Sequence, residues 1–182
     1  MELDLKGTVL LETDKLILRR FVLSDAEDMF KNYGSDPEVS KFLSWNVHKN
    51  IEDSKNTINF FMEAYNRDSF HWAIILKENN ELIGDIAVNH IDKKNHNCEI
   101  GYQLGSKFWG NGYATEALKK VIDFLLDECN FHLIECKYVV SNPASGRVME
   151  KAGMRKDAVL PERRYNKFTN TYEDLIYYSI RR

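Results

Sequence analysis

The hydrophobic period changes several times along the chain, and the changes divide it into elements. Residues 15–22 (KLILRRFV) are rich in β-favouring side chains and predict a first strand. Ser24 stands three residues before Glu27, the spacing of a capping box, so a helix is predicted from there to about residue 33, with Gly34 as its stop. Asp36-Pro37 predicts a second, short helix, capped by the acid and opened by the proline. Residues 43–50 read as a loop carrying Trp45. Apolar residues at 51, 58, 61, 62 and 65 then fall at helical spacing, so residues 51–67 are predicted to be a helix.

Beyond residue 70 the period shortens to two. Residues 70–76, 82–91 and 98–104 predict three strands joined by turns at 78–81 and 92–97, an antiparallel meander. A glycine-containing loop (106–112) leads into a long amphipathic helix, 113 to about 129. Residues 133–140 predict another strand. Asn142-Pro143 opens a helix that runs to about 151, where Gly153 stops it. Strands near 154–164 and 171–180 close the chain. This order predicts a single domain over residues 1–182, a mixed α/β (α+β) sheet of about seven strands with helices on both faces.

Composition removes several function classes. Twenty-five Lys/Arg against 28 Asp/Glu give a net charge of −3, where a nucleic-acid binder would carry a basic surplus. One stretch departs from this: residues 147–167 hold seven Lys/Arg and three acids, which reads as a solvated face or as a contribution to binding an anionic cofactor. No apolar run approaches a membrane span, and residues 1–6 lack the basic and apolar segments of a secretory signal, so a cytoplasmic protein without membrane partners is expected. Three cysteines (98, 129, 136) without a Cys-x-x-Cys spacing are expected to be reduced thiols. Five histidines form no ligand pattern, and no metal is expected.

The segment from Gly101 to Ala117 (GYQLGSKFWGNGYATEA) joins a strand to a helix through glycines. The first N–H groups of a helix have no internal partner and sit at the positive end of its dipole, where phosphate binds readily. Taken alone, Gly110 and Gly112 suit either a tight turn or such a cradle. The Rossmann and Walker patterns are both absent.

In full, Lys107-Phe-Trp-Gly110-Asn-Gly112 resembles the acetyl-CoA pyrophosphate loop, Gln/Arg-x-x-Gly-x-Gly/Ala, of the GNAT superfamily of N-acetyltransferases. Lys107 departs from the usual Gln or Arg but keeps a donor. Leu11 to Arg19 with Ser24-Asp25, and Asn142 to Met154, resemble two further motifs of the branch named for ribosomal-protein-alanine N-acetyltransferases, with Met154 in place of the common Phe. The resemblance runs from about residue 11 to the C-terminus. It implies a mostly antiparallel GNAT-like sheet and an acetyl group moved from acetyl-CoA to a primary amine by direct attack in a ternary complex. The acceptor is a protein N-terminus or a small molecule such as a polyamine, an amino acid or a drug. A non-catalytic acetyl-CoA sensor is the alternative, and a homodimer is compatible with the branch.

Carried over residue by residue, the resemblance puts Lys107, Phe108, Gly110, Asn111, Gly112, Tyr113 and Ala114 around the pyrophosphate. It puts backbone of Tyr102, Gln103 and Leu104 along the pantetheine and thioester. Asn142 resembles the pantetheine-binding asparagine and also suits an ordinary N-cap. Ser145 resembles the donor to the leaving thiolate, with Tyr138 as rival. Glu99 is the candidate base, or an ion-pair partner. The acceptor pocket is expected from the helices after the first strand and from the last hairpin, with Trp45, Tyr33, His71, Trp72, Tyr177, Arg163 and Tyr165 as candidates. An α-amine titrates near 8 and a lysine near 10.4, so an α-amine acceptor needs the weaker base.

Overall fold

The computed structural model describes residues 2–43, 45–67 and 69–181. Its centre is one eight-stranded sheet. The strands are β1 (Leu11–Glu12), β2 (Leu16–Arg19), β3 (His71–Leu76), β4 (Leu82–Asp92), β5 (Asn97–Leu104), β6 (Leu133–Val139), β7 (Arg155–Asn166) and β8 (Thr171–Arg181), in spatial order 1-2-3-4-5-6-8-7. Every neighbouring pair is antiparallel except β5–β6. The helices are α1 (Ala26–Met29), α2 (Pro37–Ser40), α3 (Ile51–Ala64), α4 (Tyr113–Asp123) and α5 (Pro143–Lys151). Seven of the strands fall where the period-two pattern predicts them. The eighth, β1, has two residues, too few for any alternation to show.

Strand alternation sorts side chains to two cores. On β3, Trp72 and Ile74 join the core beneath α4 and α5, with Leu118, Val121 and Met149. Ala73 and Ile75 join the core beneath α1 and α3, with Phe21, Met29 and Ile58. α4 presents Ala117, Leu118, Val121 and Ile122 to the sheet, one face of a 3.6-residue period. Each large aliphatic side chain so buried contributes about 1.5–3 kcal/mol.

The helix after β2 begins differently from its predicted capping box. Asp25, not Ser24, caps the turn: its carboxylate accepts from the Val22 N–H at 2.9 Å and from both terminal nitrogens of Arg19 at 2.8 Å. A 3-10 turn (Leu23–Asp25) therefore precedes α1, and a π turn (Phe30–Gly34) follows it. The short helix at Asp36-Pro37 forms as predicted, with the Asp36 side chain accepting from the Glu38 N–H at 2.9 Å.

Two features position the site. β5 and β6 pair only from Asn97↔Leu133 to Ile100↔Cys136, although β5 continues to Leu104 and β6 to Val139. The parallel pairing stops there, so residues 101–104 have no β6 partner. The second is a register shift between Val88 and His90 where β4 pairs β5, the irregularity of a bulge.

Candidate active site

β5 ends at Leu104, and at Gly105 the chain presses against the π turn: a Cβ there would lie 2.0 Å from the Asn32 carbonyl oxygen. A short turn (Ser106–Phe108) follows, with the Ser106 N–H on the Asp36 carboxylate at 3.1 Å. The Trp109 indole donates to the Leu104 carbonyl at 2.9 Å, and the Asn111 amide donates to the carbonyls of Phe108 and Trp109 at 3.1 and 3.2 Å. Gly110 (φ +80°) and Gly112 (φ +84°) take the left-handed conformation that side chains resist, and α4 starts at Tyr113. Neither glycine would direct a Cβ at any atom within 4 Å, so both face open space.

That space is a cavity of about 250 Å³. Tyr102, Gln103 and Leu104 form its floor. The loop and first turn of α4 (Phe108, Gly110, Gly112, Tyr113, Ala114) form one wall, and Asn142, Ser145, Arg147, Val148 and Lys151 from α5 the other. The first turn of α4 brings its N–H groups and the positive end of its dipole to this cavity. The structure thus gathers most of the predicted cofactor residues. Two lie outside the lining. Lys107 turns its ammonium to Glu81 at 3.0 Å, over the Phe108 ring, and Asn111 braces the loop. The cations at the cavity are instead Arg147 and Lys151, one helical turn apart on α5. They are the part of the basic stretch that lines the cavity.

At the far end of the floor the Tyr102 hydroxyl lies 2.9 Å from both the Ser145 carbonyl oxygen and the Ser145 Oγ. A phenol has one proton. Both contacts are satisfied when Tyr102 donates to the carbonyl and Ser145 donates to the Tyr102 oxygen. Burial pushes the Tyr102 phenol up, against the Ser145 bond that lowers it. Asn142 caps α5, its Oδ1 accepting from the Ser145 N–H at 3.4 Å. Tyr138 is elsewhere, packed against Gly146 and the Tyr178 ring. Glu99 accepts from Lys137 at 2.7 Å and lines neither this cavity nor the next.

A second cavity, about 410 Å³, opens on the opposite side of β5. Three of the five principal acceptor candidates line it: Tyr33, Trp45 and His71. The Trp45 indole donates to Gln103 Oε1 at 3.2 Å, Gln103 Nε2 donates to Asp85 Oδ2 at 2.7 Å, and His71 Nε2 lies 3.2 Å from Asp85 Oδ1. The His71 ring packs on Phe61, with centroids 3.9 Å apart. The Tyr33 hydroxyl is buried without a hydrogen-bond partner among the described residues, and burial, then the charge of Asp85, push its phenol up. His48 also lines the cavity, bonded to the Ser54 hydroxyl at 2.7 Å, and burial lowers its pKa.

The other candidates are corrected. Trp72 points to the opposite core, fully buried, its indole on the Val9 carbonyl at 2.7 Å; strand alternation puts it on the face away from His71. Tyr177 lies on β8 under the Lys137 ammonium, outside the cavity. The last hairpin does not line it either. Arg164 reaches the Leu43 carbonyl at 3.0 Å and Lys167 the Asn46 side chain, so the hairpin holds the loop that carries Trp45. Asp85 is the residue missed by sequence reasoning. Its signal is an acid inside the apolar run LIGDIAV, where a charge needs a reason.

Cys98, Cys129 and Cys136 are buried free thiols, and burial pushes each up, Cys129 to about 11. Among the described residues no group of three or more His, Cys, Asp or Glu could hold a metal ion, and no helix is long and apolar enough to cross a membrane.

This fold, with a phosphate-suited loop at the mouth of two diverging strands, is that of an acetyl-CoA-dependent N-acetyltransferase. The chain matches the acetyltransferase (GNAT) domain over residues 15–155 and belongs to that family. Among its relatives, the uncharacterized N-acetyltransferase p20 of Bacillus licheniformis is 33% identical over 171 residues, 93% of this chain and 94% of the relative. The ribosomal-protein-serine acetyltransferase of Escherichia coli is 28% identical over 142 residues, 78% of each chain. Among solved structures, a GNAT-family acetyltransferase from Bacillus anthracis superposes with a TM-score of 0.83 at 30% identity, covering 95% of this chain and 98% of that one. The microcin C7 self-immunity acetyltransferase MccE, solved with acetyl-CoA and AMP, gives 0.81 at 26% identity, covering 93% and 94%.

Proposed function

We propose that the acceptor amine enters the second cavity and attacks the thioester of acetyl-CoA held in the first, within one ternary complex. The observation that carries this reading is that the two cavities share Tyr102 and Gln103, on the stretch of β5 that β6 leaves unpaired. A carbonyl lying along that stretch is open to attack from the second cavity, and its thiolate faces Ser145. In the step the amine nitrogen forms a bond to the acetyl carbon, the carbon–sulfur bond breaks, and the thiolate departs. The Ser145 hydroxyl, tied to Tyr102, supplies the thiolate's proton, and the proton that the attacking nitrogen sheds passes through solvent to restore that hydroxyl, so the products are the amide and the CoA thiol. A thiol titrates near 8.5, so this assistance is modest. The backbone N–H groups of Gly110 to Ala114 and the side chains of Arg147 and Lys151 hold the phosphates. Glu99 and Tyr138 line neither cavity, and this reading gives them no step.

For the acceptor we favour the N-terminal α-amine of a protein, a ribosomal protein in the first instance. The support is the named activity of the E. coli relative and the accessible pKa of an α-amine. That substrate would place the enzyme in the cytoplasm. A small-molecule amine is the second reading, favoured by a cavity within the size range of small-ligand pockets. Calorimetric titration with acetyl-CoA and CoA tests the first step, followed by mass-spectrometric screening of N-terminal peptides of ribosomal proteins and of polyamines. Micromolar cofactor binding with one acetylated product class is expected. Absence of cofactor binding would sink the assignment of the first cavity.

A further inference from the structure

Leu43, Tyr102 and Gln103 each line both cavities. Tyr102 and Gln103 belong to β5. Leu43 comes from the chain between α2 and α3 and supplies the part of the junction that β5 does not. It is held from far along the chain: Arg164 Nη2, on β7, donates to the Leu43 carbonyl at 3.0 Å across 121 residues. The geometry points to Arg164 as a positioning residue for acetyl transfer. It sets where Leu43 stands at the junction of the two cavities, and so how the acceptor meets the thioester. The inference rests on the reading that transfer takes place at that junction.

Its setting separates Arg164 from an ordinary surface arginine. β7 and β8 pair Leu160 with Leu175 and next Arg164 with Glu173, so residues 161–163 of β7 face only Asp174. A bulge of this kind bends its strand and re-aims side chains. Arg164 is the first paired residue beyond it, and its guanidinium leaves the hairpin for Leu43. The bulge also holds backbone that side chains resist: Glu162 has φ +53°, and its N–H donates to Asp174 Oδ1 at 3.0 Å. Such conformations persist where the surrounding structure imposes them, and they concentrate at functional sites. The guanidinium itself is largely withdrawn from water. The side chain is 21% exposed, and Nη1 is buried, 3.8 Å from the Glu173 carboxylate and without a hydrogen bond among the described residues. A buried N–H left unpaired costs stability that a side chain turned to solvent would keep. The hairpin thus gives up local stability for one outward contact. That contact leads inward. Two residues on from Leu43, the Trp45 indole donates to Gln103 Oε1 at 3.2 Å, so Arg164, Leu43, Trp45 and Gln103 connect the hairpin to β5 at the junction. Lys167 adds its bond to Asn46, but an exposed ammonium on a flexible stem fixes a neighbour less firmly than a planar guanidinium held on the Glu173 side.

The test is Arg164→Gln in the full chain, with Arg155→Gln, exposed at the start of the same strand, as control. The indole N–H groups of Trp45, Trp72 and Trp109 are each hydrogen-bonded, to Gln103 Oε1 and to the Val9 and Leu104 carbonyls, and their NMR resonances report on three separate regions. In Arg164→Gln the Trp45 resonance is expected to shift while the other two stay in place. With the ribosomal N-terminal peptide or polyamine that the wild type acetylates, kcat should fall about tenfold or more, since misplacing reacting groups by about 1 Å costs about 100-fold. Calorimetric CoA affinity should stay within about threefold, less than 1 kcal/mol at 1.4 kcal/mol per decade, because the phosphates are held by the α4 loop and α5. Arg164→Lys, which keeps the charge and a donor but not the planar fork, should lie between, and Arg155→Gln should match the wild type. An unmoved Trp45 resonance would overturn the proposal. So would full kcat despite a moved resonance, or a shift of all three resonances, which would make Arg164 a support of the whole fold. If Arg164→Gln does not fold, Arg164→Lys is read by the same criteria. Failure of the underlying reading looks different: a wild type that binds CoA and acetylates no amine would remove the role in transfer, even with the Trp45 resonance moved by Arg164→Gln.

Discussion

Replacing Gly110 with alanine isolates the contribution of backbone conformation to the cofactor loop. The residue has φ +80°, and a Cβ built on it meets nothing within 4 Å, so the substitution introduces no clash. What remains is the conformational penalty, about 1–2 kcal/mol for an L-residue in the left-handed region. Against it stands the reduced freedom of the unfolded chain, worth about 0.4–1 kcal/mol to the variant. The loop can respond in two ways. If it keeps its shape, the protein loses about 1 kcal/mol of stability and binds CoA as before. If it relaxes, stability is retained and the N–H groups leave their positions, which weakens CoA by about 5- to 30-fold for the same 1–2 kcal/mol at 1.4 kcal/mol per decade. Urea unfolding and calorimetric CoA titration on the same preparation read both terms. Gly110→Asn, which tolerates the left-handed region better, should fall between wild type and alanine. An alanine variant equal to wild type in both stability and CoA affinity would refute the claim that this loop depends on a positive φ.

Two other perturbations probe the site. Tyr102→Phe should cost about 1 kcal/mol of stability for the lost hydrogen bond, and should lower kcat with little change in acceptor KM. Combined with Ser145→Ala its effect on kcat should be less than additive, because the two hydroxyls act as one group; strict additivity in steady-state kinetics would separate them. Trp72→Ala should destabilise by about 3–5 kcal/mol in thermal or urea unfolding. Trp45→Ala should instead raise acceptor KM and leave the unfolding midpoint nearly unchanged, and the reverse pattern would mean that the two tryptophans had been placed on the wrong faces.

Much of the cofactor side is legible in the chain itself. Its parts are local: a strand end, two glycines and a helix start lie within twelve residues, and Arg147 and Lys151 share a face because a helix repeats every 3.6 residues. Lys107 misleads because its role is carried over by residue type. The decisive fact is long-range, the proximity of Glu81 on the β3–β4 turn. The capping box fails for a related reason. Ser24 and Glu27 have the right spacing, but Arg19 from β2 holds Asp25 where it reaches the Val22 N–H first.

The amino-acid sequence by itself determined the order of elements, the phosphate-suited loop and the family, because each is written in short-range period or in contiguous motif. Only the tertiary structure brought together the lining of the second cavity. His71 and Asp85 meet because β3 and β4 pair with Ala73 opposite Asp85, which brings residue 71 to the same face one diagonal away. Glu99 was drawn off to Lys137 by the parallel register of β5 and β6, which pairs Glu99 with Glu135. Strand alternation separated Trp72 from His71, its neighbour in the chain. Such placements depend on register and on which face of the sheet each helix covers, and both are settled by burial summed over the whole molecule rather than by any local run of residues.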